Sequence, residues 1–128
     1  MLKVGIYKQS NYPVSAVKIR KFLQQYFSKK GISSDAEVSV ALVGEKKMLQ
    51  LSKIYLKDNA VHSVLSFTEN EVAAKFRNPD DKILLRLGEI VICYAKAFQE
   101  AKKENKRIDD KIVELIKHGA DHLMGIHH

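Results

Sequence analysis

The spacing of apolar positions changes several times along the chain, and each change marks an element. Residues 2–7, Leu-Lys-Val-Gly-Ile-Tyr, alternate over a short run, which predicts a first strand. After Pro13 the period becomes helical: Val14, Val17, Ile19, Leu23, Tyr26 and Phe27 form an apolar stripe, and Lys18, Lys21 and Lys29 take the other side. Gly31 is placed to end that helix. Residues 37–43 are β-branched and almost continuously apolar, as expected of a strand buried on both faces. Helical spacing returns over 45–57 through Met48, Leu51 and Tyr55, and residues 61–67 read as another strand. The polar stretch 69–82 contains Asn-Pro-Asp-Asp and reads as a loop. A long strand follows over 84–94, with Gly88 at its middle as a place for a bulge or a close backbone approach. Two helices close the pattern. One covers about 95–106; the other opens near Asp109 as its cap and runs through Ile112, Val113, Leu115 and Ile116 into a group of histidines. Strands and helices alternate loosely, with one hairpin-like pair of strands. The fold class is therefore α+β: a single domain over 1–128 with a small mixed sheet packed against several helices.

Composition narrows the setting. With 128 residues, 45% of them hydrophobic, the chain can bury a core without metal or disulfide staples. No apolar run approaches the roughly 18 residues of a membrane span, and the first residues lack the apolar core of a secretory signal. Neither membrane association nor a disulfide-linked partner is expected: the single cysteine, Cys93, sits in an apolar Ile-Val-Ile-Cys-Tyr-Ala run that suits a buried thiol in a reducing cytoplasm. The net charge of +7 favours polyanionic partners, with RNA, DNA and anionic lipid the usual candidates. The lysine face of the first helix is either plain solvation or part of such a footprint.

The densest chemistry lies at 118–128, His-Gly-Ala-Asp-His-Leu-Met-Gly-Ile-His-His, where four histidines fall within eleven residues. His118 and His122 are four apart on a helix, so both imidazoles project from one face about one turn apart. Two histidines so spaced are as often ordinary surface residues. Here Gly125 can reverse the chain and bring His128 back toward them, and three imidazoles with one position left open is the pattern of a catalytic zinc site at the end of the last helix. Asp121 and His127 are candidates for groups that orient a ligand ring. The spacing also evokes the zinc-peptidase motif H-E-x-x-H-x-x-G-x-x-H, but the glutamate position is Gly119, which cannot take a proton from water. A metal-dependent peptidase-like hydrolase is disfavoured for that reason.

These residues resemble the signature of the YbeY family of rRNA maturation factors, H-G-x-L-H-L-x-G-Y-D-H, with the three ligand positions, both glycines and Leu123 kept. Upstream, His62-Ser63-Val64-Leu65-Ser66-Phe67 is similar to the family's Thr-Asp-Val-Leu-Ser-Phe strand. Leu87-Gly88-Glu89-Ile90 is similar to Leu-Gly-Asp-Ile, and Leu51-Ser52-Lys53-Ile54-Tyr55-Leu56 to Leu-Asn-x-x-Tyr-Arg. The resemblance covers about the last two thirds of the chain. It implies a zincin-like domain with one Zn2+ on His118, His122 and His128. The implied activity is a single-strand-specific endoribonuclease that matures the 3′ end of 16S rRNA on the small ribosomal subunit and serves ribosome quality control. Departures are also visible. The family arginine falls on Leu56, for which Lys57 or Arg86 could substitute in holding substrate phosphate, and His62 replaces the threonine of the strand motif. His127 stands at the motif aspartate, and relatives continue for a further short segment beyond the position of His128. The missing arginine leaves open an assembly factor that keeps the zinc site and cleaves weakly.

Overall fold

A computed structural model of the chain describes residues 2–32, 35–68 and 85–125. The first strand, β1 (Leu2–Lys8), leads into helix α1 (Ala16–Lys29). Ser15 caps α1 by accepting the backbone N–H of Lys18 at 3.2 Å, satisfying one of the donors that a helix start leaves open. At the other end Gly31 takes φ +87°. Ile32 N–H then reaches Phe27 O at 3.0 Å and Gly31 N–H reaches Ser28 O at 3.1 Å, the paired bonds of a Schellman stop. Ile19, Leu23 and Phe27 face the core, each fully buried and each worth about 1.5–3 kcal/mol of transfer free energy. Val17, assigned to the same stripe, is instead 70% exposed, because helical phase carries it to the far side from Ile19 and Leu23.

Strand β2 (Ala36–Val43) follows, then helix α2 (Glu45–Leu51), which runs into a wider π turn over Ser52–Leu56. The buried Ser52 hydroxyl donates back to Met48 O at 3.0 Å, a bond that competes with the helical ladder where the turn widens. Lys57 ends this segment in the left-handed region at φ 56°. Strand β3 (Val64–Thr68) starts three residues later than the sequence pattern suggests: of residues 61–63 only Ser63 is tied to the sheet, by a single bond in which its carbonyl accepts Cys93 N–H at 3.0 Å. The loop expected over 69–82 lies outside the described residues. Strand β4 (Leu85–Cys93) is followed by α3 (Tyr94–Lys103) and α4 (Ile108–Leu123). Helix α3 ends at Lys103, short of the expected end near 106: Asn105 adopts φ 58°, and Lys106 N–H bonds Ala101 O at 2.8 Å. Asp109 lies inside the first turn of α4 and is not its cap; that position belongs to Arg107.

The four strands pair in the order β1-β2-β4-β3, parallel except for the antiparallel β3–β4 edge. Across β2–β4 the register slips between Glu37 and Val38, which face Arg86 and Gly88, so Leu87 is the extra residue of a bulge. The two faces are unequal. Val38, Val40, Leu42, Ile90 and Ile92 pack into the main core with residues of α1, α3 and α4; Val43, Leu65, Phe67, Val91 and Cys93 form a smaller core with Met48 of α2. β2 is thus buried alternately rather than continuously, since Ser39 and Ala41 on its second face are only half covered. The result is a small α+β domain with a mixed four-stranded sheet and four helices among the described residues.

Candidate metal centre

The last helix sets the site. Ile112, Leu115, Ile116 and Ala120 point into the core, and the arc of α4 flanking them on the Leu115 side carries His122, half-buried, and then His118, exposed. Four residues of helical rise separate them by about 6 Å along the axis. Ser63 and Val64 line a cleft of about 460 Å³ beside His118, and Ser66 meets His122, so β3 and α4 run alongside each other in the same direction. Strand alternation aims Val64, Ser66 and Thr68 at the helix and Leu65 and Phe67 at the second core.

Ser66 Oγ lies 2.5 Å from His122 Nδ1. With the hydroxyl accepting from Nδ1–H, this bond would favour the tautomer in which Nε2 carries the lone pair that a metal ligand needs. Ser66 was not among the residues singled out as site candidates. The signal was present, as the one hydroxyl on an alternating strand between two buried apolar residues.

Gly119 explains how the helix comes so close to the sheet. A Cβ there would stand 2.9 Å from Ile90 Cγ2, so a larger residue fits only if the Ile90 side chain gives way. The glutamate of a peptidase motif cannot occupy this position, because it faces packed core. Gly88 is tighter still. At φ +142°, an added Cβ would lie 2.2 Å from Phe67 O and 2.8 Å from Leu123 Cδ2. Past Leu123, Gly125 takes φ +77°, with its N–H on His122 O at 3.0 Å, which gives the helix stop expected before the final histidines.

Asp121, on the flank of this site, is buried. Its Oδ1 accepts the Tyr26 hydroxyl of α1, and its Oδ2 accepts Lys117 Nζ at 3.1 Å. Burial, and then the bond to Asp121, raise the Tyr26 phenol above its ordinary value, so it remains a proton donor to that carboxylate.

The remaining candidates are scattered. His128, like His127, lies outside the described residues. Among the described residues no group of three or more His, Cys, Asp or Glu is gathered for an ion; two of the three expected imidazoles share one face. His62 Nε2 bonds Asp58 Oδ2 at 3.0 Å, and its neighbour Ser63 is the one that lines the cleft. The Asp58 carboxyl is held below its ordinary value by the Ala60 N–H and then by His62. Lys57 is exposed at the end of the π turn, beside Leu56, which is 47% exposed. Arg86 sits opposite its register partner Glu37, 3.9 Å away, on the sheet face opposite Val38 and the helix. Glu89 shares that second face, where burial raises its carboxyl above the ordinary range while Lys47 pulls it back.

Comparison with known proteins matches this arrangement of motifs. The family model for endoribonuclease YbeY matches residues 6–128. The chain belongs to that family. Relatives named endoribonuclease YbeY include one from Macrococcus caseolyticus, 33% identical over 98 residues, covering 77% of this chain and 62% of the relative. Another, from Thermodesulfovibrio yellowstonii, is 37% identical over 93 residues, covering 71% and 53% respectively. The matched stretch therefore spans little more than half the length of these relatives. A solution structure from Thermotoga maritima shares the fold, with TM-score 0.57 and 22% identity over 94% of this chain and 71% of that one. No helix among the described residues is long and apolar enough to cross a membrane.

Proposed function

We propose that the chain is a zinc-dependent, single-strand-specific endoribonuclease of rRNA maturation. It would act in the cytoplasm on the 3′ end of 16S rRNA in the small subunit and take part in ribosome quality control. The observation that carries this reading is the pair His118 and His122 one turn apart on α4, with Ser66 bonded to the Nδ1 of His122, in a chain of the endoribonuclease YbeY family. The donor set suits the ion: neutral imidazoles are preferred by zinc, nickel and copper, and a ligand ring normally has its other nitrogen engaged as His122 has here. His128 would supply the third ligand of a zincin-like site. When bound, zinc supplies Lewis-acid polarisation of a phosphoryl oxygen and lowers the pKa of a coordinated water.

The chain's own residues set the surroundings. Ser66 orients His122, the 460 Å³ cleft beside His118 leaves room for a backbone phosphate, and Lys117 at the cleft wall adds a cation. Gly119 places packed core where a peptidase would carry its base, which disfavours peptide hydrolysis. One observation favours a second reading, a ribosome-assembly factor with weak cleavage: an exposed leucine, Leu56, stands at the family's arginine position.

The test is cleavage of a precursor rRNA fragment by wild type and by His118→Ala, each with and without chelator. A fall of at least about 100-fold in the variant and under chelation is expected for the nuclease. Equal activity in both proteins would mean a contaminating enzyme, and tight RNA binding without cleavage would favour the assembly factor.

A further inference from the structure

A second groove, of about 350 Å³, lies between α1 and α4 on the other side of the Lys117–Asp121 ion pair, so that this pair forms a wall common to both depressions. Its floor is aromatic. Tyr26 is buried, and Phe22, partly buried, lies 6.1 Å from it with the ring planes 30° apart. Its rim is cationic. Lys29 and Lys30 come from the last turn of α1, with Lys30 Nζ 5.5 Å from the centre of the Tyr26 ring, and Lys117 closes the far side. The single acid in the lining, Asp121, is already engaged by Tyr26 and Lys117.

Apolar ring surface between amino groups is the combination that receives an unstacked base while its phosphates meet cations. A duplex keeps its bases inside and would offer the groove only phosphate. An anionic membrane surface would use the lysines but leave the small aromatic floor without a purpose.

We infer that the α1–α4 groove is a nucleotide subsite for the unpaired RNA strand that continues from the histidine cleft across Lys117. In this role Lys29 and Lys30 hold phosphates and Phe22 offers a stacking surface. The inference rests on the ribonuclease reading and adds to it a path for the substrate outside the reacting position.

The experiment measures binding of 2′-O-methyl oligoribonucleotides, which resist cleavage, by fluorescence anisotropy over a range of salt. A 4-mer fills little beyond the cleft; a 12-mer also reaches the groove. For Lys29→Ala/Lys30→Ala, 12-mer affinity should fall about 10-fold, and the slope of log K against log salt should shrink by about 1.4, roughly 0.7 for each lost phosphate contact. The 4-mer should bind as it does to wild type. Lys102→Ala/Lys103→Ala, with the same charge change on α3, should match wild type on both. Phe22→Leu should weaken the 12-mer about 5-fold with no change in slope, which separates stacking from charge.

Unchanged 12-mer binding by the α1 double variant would overturn the subsite, as would an equal loss in the α3 variant or an equal loss on a 12-bp duplex. In each of those cases wild-type RNA binding would still support the ribonuclease reading. Wild type that binds neither oligonucleotide but binds anionic vesicles would overturn both.

Discussion

Gly119 and Gly88 lie where the last helix meets the sheet, and at each the added methyl of an alanine would collide. At Gly119 the collision is with Ile90 Cγ2 at 2.9 Å, the end of a side chain that can shift a little. Gly119→Ala should therefore cost about 1–3 kcal/mol, as overpacked cores do. At Gly88 the obstacle is the Phe67 carbonyl at 2.2 Å and the backbone is at φ +142°, so Gly88→Ala should cost more than Gly119→Ala. Urea midpoints of the two variants would check the order. Ser66→Ala tests orientation rather than packing. It should leave the urea midpoint near that of wild type and weaken zinc affinity about 10-fold, read by competition with a chromophoric chelator.

Helix α4 is pinned at both ends by ionic groups. Near its C-terminus the Tyr26 hydroxyl and Lys117 compensate the buried Asp121; Tyr26→Phe leaves one carboxylate oxygen without that donor and should lower stability by about 2 kcal/mol. At its N-terminal half Lys111, almost fully buried, bonds Glu104 of the preceding turn at 2.9 Å and Glu114 at 2.8 Å, with Glu100 of α3 at 3.6 Å. Burial opposes the Lys111 charge, but its bonds to Glu114 and Glu104 outweigh that and hold its pKa above the ordinary value. In return the Glu104 carboxyl, bonded to Lys111, and the Glu114 carboxyl, bonded to Lys106 and Lys111, lie below their ordinary 4.5. Groups with lowered folded pKa bind fewer protons in the native state. Their contribution is therefore present above pH 4.5 and is lost as pH falls through the folded values. The urea midpoint of wild type should drop between pH 5 and pH 3, and Lys111→Met should show a shallower drop from a lower starting point.

At the scale of the molecule, the core closes without the histidines. The buried residues of both clusters are apolar side chains of the sheet and helices, and His118 and His122 lie outside them. Zinc should therefore be separable from folding. Metal analysis of tag-free protein should find about one zinc per chain, and His122→Ala should lose it while keeping the wild-type far-UV spectrum and an unfolding free energy within about 0.5 kcal/mol of zinc-stripped wild type.

Much of this architecture was legible in the sequence. Strand and helix periods gave the element order, because one face of each element must be apolar to be buried. Gly88 marked the bulge and Gly31 and Gly125 the helix stops, because those backbone angles exclude most side chains. The His118–His122 spacing fixed a shared face, since helical geometry is local. Tertiary structure decided what local rules cannot reach. Which strand lies at the edge, that Ser66 meets His122 across 56 residues, and that Tyr26 meets Asp121 across 95 depend on chain segments brought together only by the packed core. Sequence spacing carries the period of an element. The partner that an element's face meets is set by three-dimensional packing, where burial and steric fit at positions such as Gly119 select one arrangement.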